Sequence, residues 1–163
     1  MAAIRRVTPF FGDFVLQPDP SERIRLRWKQ RGLDRTFLAR EASDGTLRFI
    51  CLATLLLGPD LPATVVLDEP ELGLHPAAID LLAEMARVAG RNGHRVLLAT
   101  QSVPLVSHFD LGEIVVLDRV DGATEASRPD EAFLTAFLEN YSTGNLWEMN
   151  LLGGRPTKEG RIL

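Results

Sequence analysis

The stretch Thr64-Val65-Val66-Leu67-Asp68-Glu69-Pro70-Glu71-Leu72-Gly73-Leu74-His75-Pro76 decides how the rest of the chain reads. Residues 64–67 are short, apolar and rich in β-branched side chains, the pattern of a central parallel strand buried on both faces. The strand ends in two successive acids. In an open parallel sheet, ligands gather beyond the C-terminal ends of the strands. One carboxylate is then expected to face that crevice, with its neighbour close by. Magnesium takes oxygen ligands and keeps several waters, so a single carboxylate can hold a hydrated ion beside a triphosphate. A second carboxylate can orient the water that attacks a γ-phosphate. Asp68 suits the metal role and Glu69 the water role. Taken alone, Asp68-Glu69-Pro70 more often only opens a turn, so the neighbouring segments have to decide.

Downstream, Pro76 suits the first turn of a helix. The spacing of Ile79, Leu82 and Ala86 predicts an amphipathic helix over 76–89, closed by Gly90. Residues 95–99 read as a second buried strand and residues 114–117 as a third. Upstream, Ser43 and Asp44 suit a helix start, where a side-chain oxygen accepts from free backbone N–H groups. The apolar run 49–57 continues that helix and Gly58-Pro59 ends it. Its apolar residues point nearly all round, which predicts burial. Residues 9–17 look extended up to Pro18-Asp19-Pro20. Residues 22–30 alternate, with Ile24, Leu26 and Trp28 on one face and arginines on the other, as in a half-exposed strand. A helix is expected near 131–138, then a loop-rich tail. Strands alternating with helices imply a parallel, doubly wound α/β sheet.

Composition narrows the class. The 163 residues suffice for a domain with a real core, and no apolar run is long enough to span a membrane. The N-terminus lacks the apolar stretch of a signal peptide. The one cysteine, Cys51, lies in an apolar stretch, which predicts a buried thiol and fits a reducing cytoplasm. The net charge of −4 is uneven. Residues 1–48 hold ten Lys or Arg against six Asp or Glu; the remainder hold eight against sixteen. The basic part suits a solvated surface or a phosphate-bearing partner.

Residues 67–76 closely resemble the Walker B and D-loop segment of ABC-type ATPases in the SMC/RecF-like group. Three further segments agree in order and spacing. Ser43-Asp44-Gly45-Thr46 resembles the signature loop of that family. Thr100-Gln101-Ser102, after the strand 95–99, stands where the family has its switch loop. Residues 141–147 and 150–156 resemble the C-terminal ending of predicted bacterial ATPases of the group. The resemblance runs over roughly residues 9–156. It implies a P-loop NTPase-type, ABC ATPase-like parallel sheet flanked by helices, with residues 1–150 forming the C-terminal half of the ATPase domain and 151–163 a tail. It implies ATP and Mg2+ as cofactors, with Asp68 on the metal and Glu69 polarising water. Ser43 and Gly45 would approach the γ-phosphate held by a partner subunit. Gln101 would sense that phosphate, although most members carry histidine there, and an amide can hydrogen-bond but cannot take up a proton or become charged. His75 falls in the D-loop region and more often serves structure; His108 reads as an ordinary loop residue.

A P-loop requires Gly-x-x-x-x-Gly-Lys followed by Ser or Thr. The only lysines are Lys29 and Lys158, and neither follows a glycine. The resemblance therefore implies a half-site completed by a homodimer or by a partner carrying the P-loop, with DNA as a possible further partner and no membrane. Two other readings stay open. One is a dimerisation or regulatory module that does not hydrolyse ATP. The other is a nucleic-acid-binding surface along 23–40, where seven basic residues alternate with Trp28 and Phe37. A transporter ATPase fits the Glu-Leu-Gly-Leu-His-Pro segment less well.

Overall fold

A computed structural model describes residues 1–18 and 20–154. The chain divides into two units, Met1–Thr100 and Gln101–Leu163. In the first, helix α1 (Ala2–Val7) leads into strands β1 (Phe11–Val15), β2 (Arg27–Gln30) and β3 (Thr36–Leu38), an antiparallel sheet in that order. Trp28 pairs with Phe14 on one side and Phe37 on the other, and its ring stacks between those of Phe11 and Phe37 at 5.9 and 4.8 Å. Only this half of the expected strand over 22–30 forms. Ile24 is 64% exposed and makes a single bridge with Pro18, and Leu26 is also exposed. The prolines at 18 and 20 offer no N–H, so the ladder stops where they begin.

Helix α2 (Asp44–Leu56) starts at Ser43, whose Oγ accepts from the Thr46 N–H at 3.2 Å. Its buried face is Phe49, Ile50, Leu52, Ala53 and Leu56, packed with α1. The opposite stripe, Arg48, Cys51 and Thr54, is exposed. The expected all-round burial is therefore wrong, and with it the buried thiol: Cys51 is an exposed free cysteine. The error is one of angle, since residues three apart share a helix face whatever their hydropathy.

Strand β4 (Thr64–Asp68), helix α3 (Pro76–Arg91) and strand β5 (Arg95–Ala99) form a βαβ unit in which β4 and β5 pair parallel, Val66 opposite Leu97 and Asp68 opposite Ala99. The stripe of α3 holds as expected. Ile79, Leu82 and Ala86 are buried, and the helix packs on α2 and β5. It runs through Gly90 and stops after Arg91, where Gly93 takes φ +91. Gly90 has no steric need to be glycine, whereas Gly93 occupies the left-handed region that other residues resist. Burial of β4 is one-sided. Val65 is 7% exposed but Val66 is 69% and Leu97 52% exposed. The two-faced burial expected from the apolar run is not met, because among the described residues no element covers that second face.

The second unit holds α4 (Val103–Val106), β6 (Val116–Val120), β7 (Ala123–Ser127), α5 (Glu131–Leu138) and α6 (Thr143–Glu148). Its core is Leu111, Val116, Leu134, Leu146 and Leu152, with Trp147 packed against it. Tyr141 stays exposed. The strand expected at 114–117 is displaced to β6, and it is not a third parallel strand but half of an antiparallel hairpin with β7. The turn is Asp121-Gly122, with φ +49 and +83, a pair of left-handed residues that reverses a chain tightly. Gly144 lies against the Val103 carbonyl and Ser107, leaving no room for a Cβ, so α6 packs closely on α4.

Candidate functional site

Asp68 is the last residue of β4 and Glu69 the first beyond it. The Glu69 N–H donates to the Ala99 carbonyl at 2.8 Å, carrying the parallel ladder one step past the strand. Glu69 then takes φ +41, a left-handed conformation that is uncommon for a residue with a Cβ and that concentrates at functional turns. Its carbonyl accepts from the Leu72 N–H at 3.1 Å, and Leu74 N–H donates to the Glu71 carbonyl at 2.9 Å. The result is a tight double turn over 69–74. Both carboxylates, of Asp68 and Glu69, are exposed, and among the described residues neither is paired with another side chain.

Two long-range contacts hold this turn to the rest of the first unit. The Thr100 hydroxyl donates to Glu71 Oε1, tying the turn to the end of β5. The start of α2 touches it as well: a Cβ on Gly45 would overlap the Gly73 carbonyl oxygen, so the two backbones meet where only glycine fits. Arg48, one turn further along α2, donates from Nη1 to the Glu69 carbonyl at 3.3 Å. Ser43, Gly45, Asp68 and Glu69, expected from sequence as site residues, thus belong to one connected neighbourhood. Ser43 also caps α2, with its Oγ 2.8 Å from Thr46 Oγ1. Gln101 is exposed and opens the second unit. His75 caps α3, its Nδ1 accepting from the Ala77 N–H at 3.3 Å. This gives it a structural task. His108 is half-buried beyond α4.

Sequence reasoning overlooked Arg48, Glu71 and Gly73. Glu71 had a signal, a third acid within Asp-Glu-Pro-Glu. Arg48 had none, because its partner lies 21 residues away.

The family described as "AAA domain, putative AbiEii toxin, Type IV TA system" matches residues 3–107. The chain belongs to this AAA-domain family. No curated protein matches it. Among solved structures, it is similar to one from work on ATP-driven dimerisation and DNA-stimulated activation of SMC ATPases, at TM-score 0.62 and 15% identity over 85% of each chain. It is also similar to an Smc head bound to the C-winged helix domain of ScpA, at TM-score 0.62 and 13% identity over 81% of this chain and 42% of that one. A third is the Smc head domain with an extended coiled coil, bound to the C-terminal domain of ScpA and derived from Pyrococcus furiosus, at TM-score 0.63 and 14% identity over 85% of this chain and 35% of that one. The chain spans less than half of the two Smc heads. These likenesses establish the fold alone: an α/β, P-loop NTPase-type fold, here with a parallel strand pair and helix α3 packed against it.

An AAA domain of this kind implies ATP with Mg2+. The donor set fits a magnesium ion held mainly by water and phosphate. Asp68 offers an exposed carboxylate at a strand end that is unpaired among the described residues, an oxygen donor of the kind magnesium takes. No helix among those residues is long and apolar enough to cross a membrane. Lys158 and the ending 155–156 lie outside the described residues.

Proposed function

We propose that this chain is the acid-bearing half of an ATPase head that hydrolyses ATP when a P-loop segment completes it. The observation that carries the reading is the pair of exposed acids at the C-terminal end of a parallel strand, neither paired with another side chain among the described residues, with Glu69 turned left-handed beside Asp68. In the completed head, Asp68 holds the magnesium and Glu69 accepts a proton from the attacking water. Magnesium, when bound, neutralises charge on the phosphate oxygens. Gln101 hydrogen-bonds the γ-phosphate through its amide. Ser43 and Gly45 approach the nucleotide of an opposing copy from the N-terminal end of α2, where free N–H groups favour anions. The sequence contains no Gly-x-x-x-x-Gly-Lys followed by Ser or Thr, which supports the need for a completing segment. Head closure on ATP would drive a DNA-linked partner in the cytoplasm.

A fluorescent ATP analogue with magnesium tests the reading, applied to the chain alone and to the chain mixed with a P-loop-bearing segment. Binding and turnover only in the mixture, lost with Glu69→Gln, support it. A mixture that binds nucleotide but turns over none sinks it and favours a second reading, a dimerisation module without hydrolysis. That alternative draws on Gln101, whose amide neither takes up a proton nor becomes charged. The nucleic-acid reading loses its base-stacking element, because Trp28 is 7% exposed and sandwiched between two phenylalanines.

A further inference from the structure

We propose that Arg48 is a positioning residue for Glu69: its guanidinium holds the Glu69 carbonyl and so keeps the acid in the left-handed turn that sets the direction of its carboxylate. The inference rests on the proposed water-polarising role of Glu69 for its use, but not for its structural content. Three observations converge on it. Glu69 is the one residue of the 69–74 turn, apart from Gly73, with a positive φ, and it carries a side chain that disfavours that conformation. Its backbone is held on both sides, by the Ala99 carbonyl at its N–H and by the Leu72 N–H and Arg48 at its carbonyl. The Arg48 contact adds a positive charge to a carbonyl that the turn alone satisfies with one neutral donor, and charge-assisted bonds are the stronger kind.

The contact also has a rigid base. Arg48 lies one turn from Gly45, and Gly45 meets the Gly73 backbone with no room for a Cβ. The first turn of α2 and the acidic turn therefore touch at two points, Gly45 on Gly73 and Arg48 on Glu69.

The test uses the full chain without nucleotide, labelled for NMR. Glu69 Cα and Cβ shifts report its left-handed conformation, and the Leu72 amide reports closure of the turn by its exchange with solvent. Arg48→Gln is expected to move the Glu69 shifts toward extended or right-handed values and to speed Leu72 exchange about three- to tenfold. Arg48→Lys, which keeps a charged donor, is expected to recover part of both. Cys51→Ala, on the same exposed stripe of α2, is expected to change neither. Unchanged Glu69 shifts and Leu72 exchange in Arg48→Gln overturn the proposal. If that variant does not fold, the comparison is made in a Glu69→Gly background, where glycine adopts the turn unaided. Full recovery of the fold there upholds the positioning role, and no recovery overturns it. Because no nucleotide is present, these results stand apart from whether Glu69→Gln abolishes turnover.

Discussion

Strands β4 and β6 grow from almost the same five residues, Thr64-Val65-Val66-Leu67-Asp68 and Ile114-Val115-Val116-Leu117-Asp118, and they pair in opposite senses. β4 ends at its aspartate. Glu69-Pro70 turns the chain into α3, and the partner strand arrives parallel after a crossover. β6 runs through its aspartate to Val120, and Asp121-Gly122 folds it straight back onto β7. The apolar run sets strand propensity in both places. The residues that follow it decide whether the next strand lies parallel or antiparallel, because a two-residue left-handed turn can only make a hairpin. The fate of each aspartate follows. Asp68 stands exposed at a strand end, where a parallel sheet opens to ligands; Asp118 lies within its strand, half-buried and opposite Glu125.

The largest expected effect separates those two aspartates. In the head completed by a P-loop segment, Asp68→Asn should lower magnesium-dependent ATP turnover by about 100-fold or more, while Asp118→Asn should leave it within about twofold. Equal losses would erase the distinction between the strands. Next come the inward valines. Val65→Thr and Val116→Thr keep volume but bury a hydroxyl, and each should cost about 1–3 kcal/mol in urea denaturation. Gly122→Ala places a Cβ in a left-handed turn position and should cost about 1 kcal/mol, read as a lower midpoint; the hairpin origin of β6 predicts it, and a parallel β6 would not. Smallest are the outward residues. Val66→Thr and Leu117→Thr should shift stability by no more than about 0.5 kcal/mol, since both side chains face solvent. A large loss at Val66 would mean that its face is covered in solution, by a second copy or by a completing segment.

The placement of the candidate site residues on the elements was legible in the sequence. That Asp68 and Glu69 stand at a strand end and Ser43 and Gly45 at a helix start follows from their near neighbours; their assignment to a nucleotide site came from the family resemblance. The Ser43 cap and the buried stripe of α3 appeared as expected. The Asp-Gly turn was equally legible and was overlooked, since the apolar run before it drew the reading toward a parallel sheet. Cys51 and Val66 were misjudged for another reason. Hydropathy tells what a residue prefers, not which neighbour is present to cover it.

By itself, the sequence determined the βαβ order, the two acids at the strand end, the start of α2 and the apolar stripe of α3, all of them short-range consequences of side-chain size, periodicity and capping. Only the tertiary structure decided that Arg48 reaches the Glu69 carbonyl, that Gly45 meets Gly73, that Thr100 ties down Glu71 and that, among the described residues, one face of β4–β5 stays open. Those are contacts, or missing contacts, between residues far apart in the chain. Many packings satisfy the same local propensities, and the one adopted is selected by how the packed elements meet.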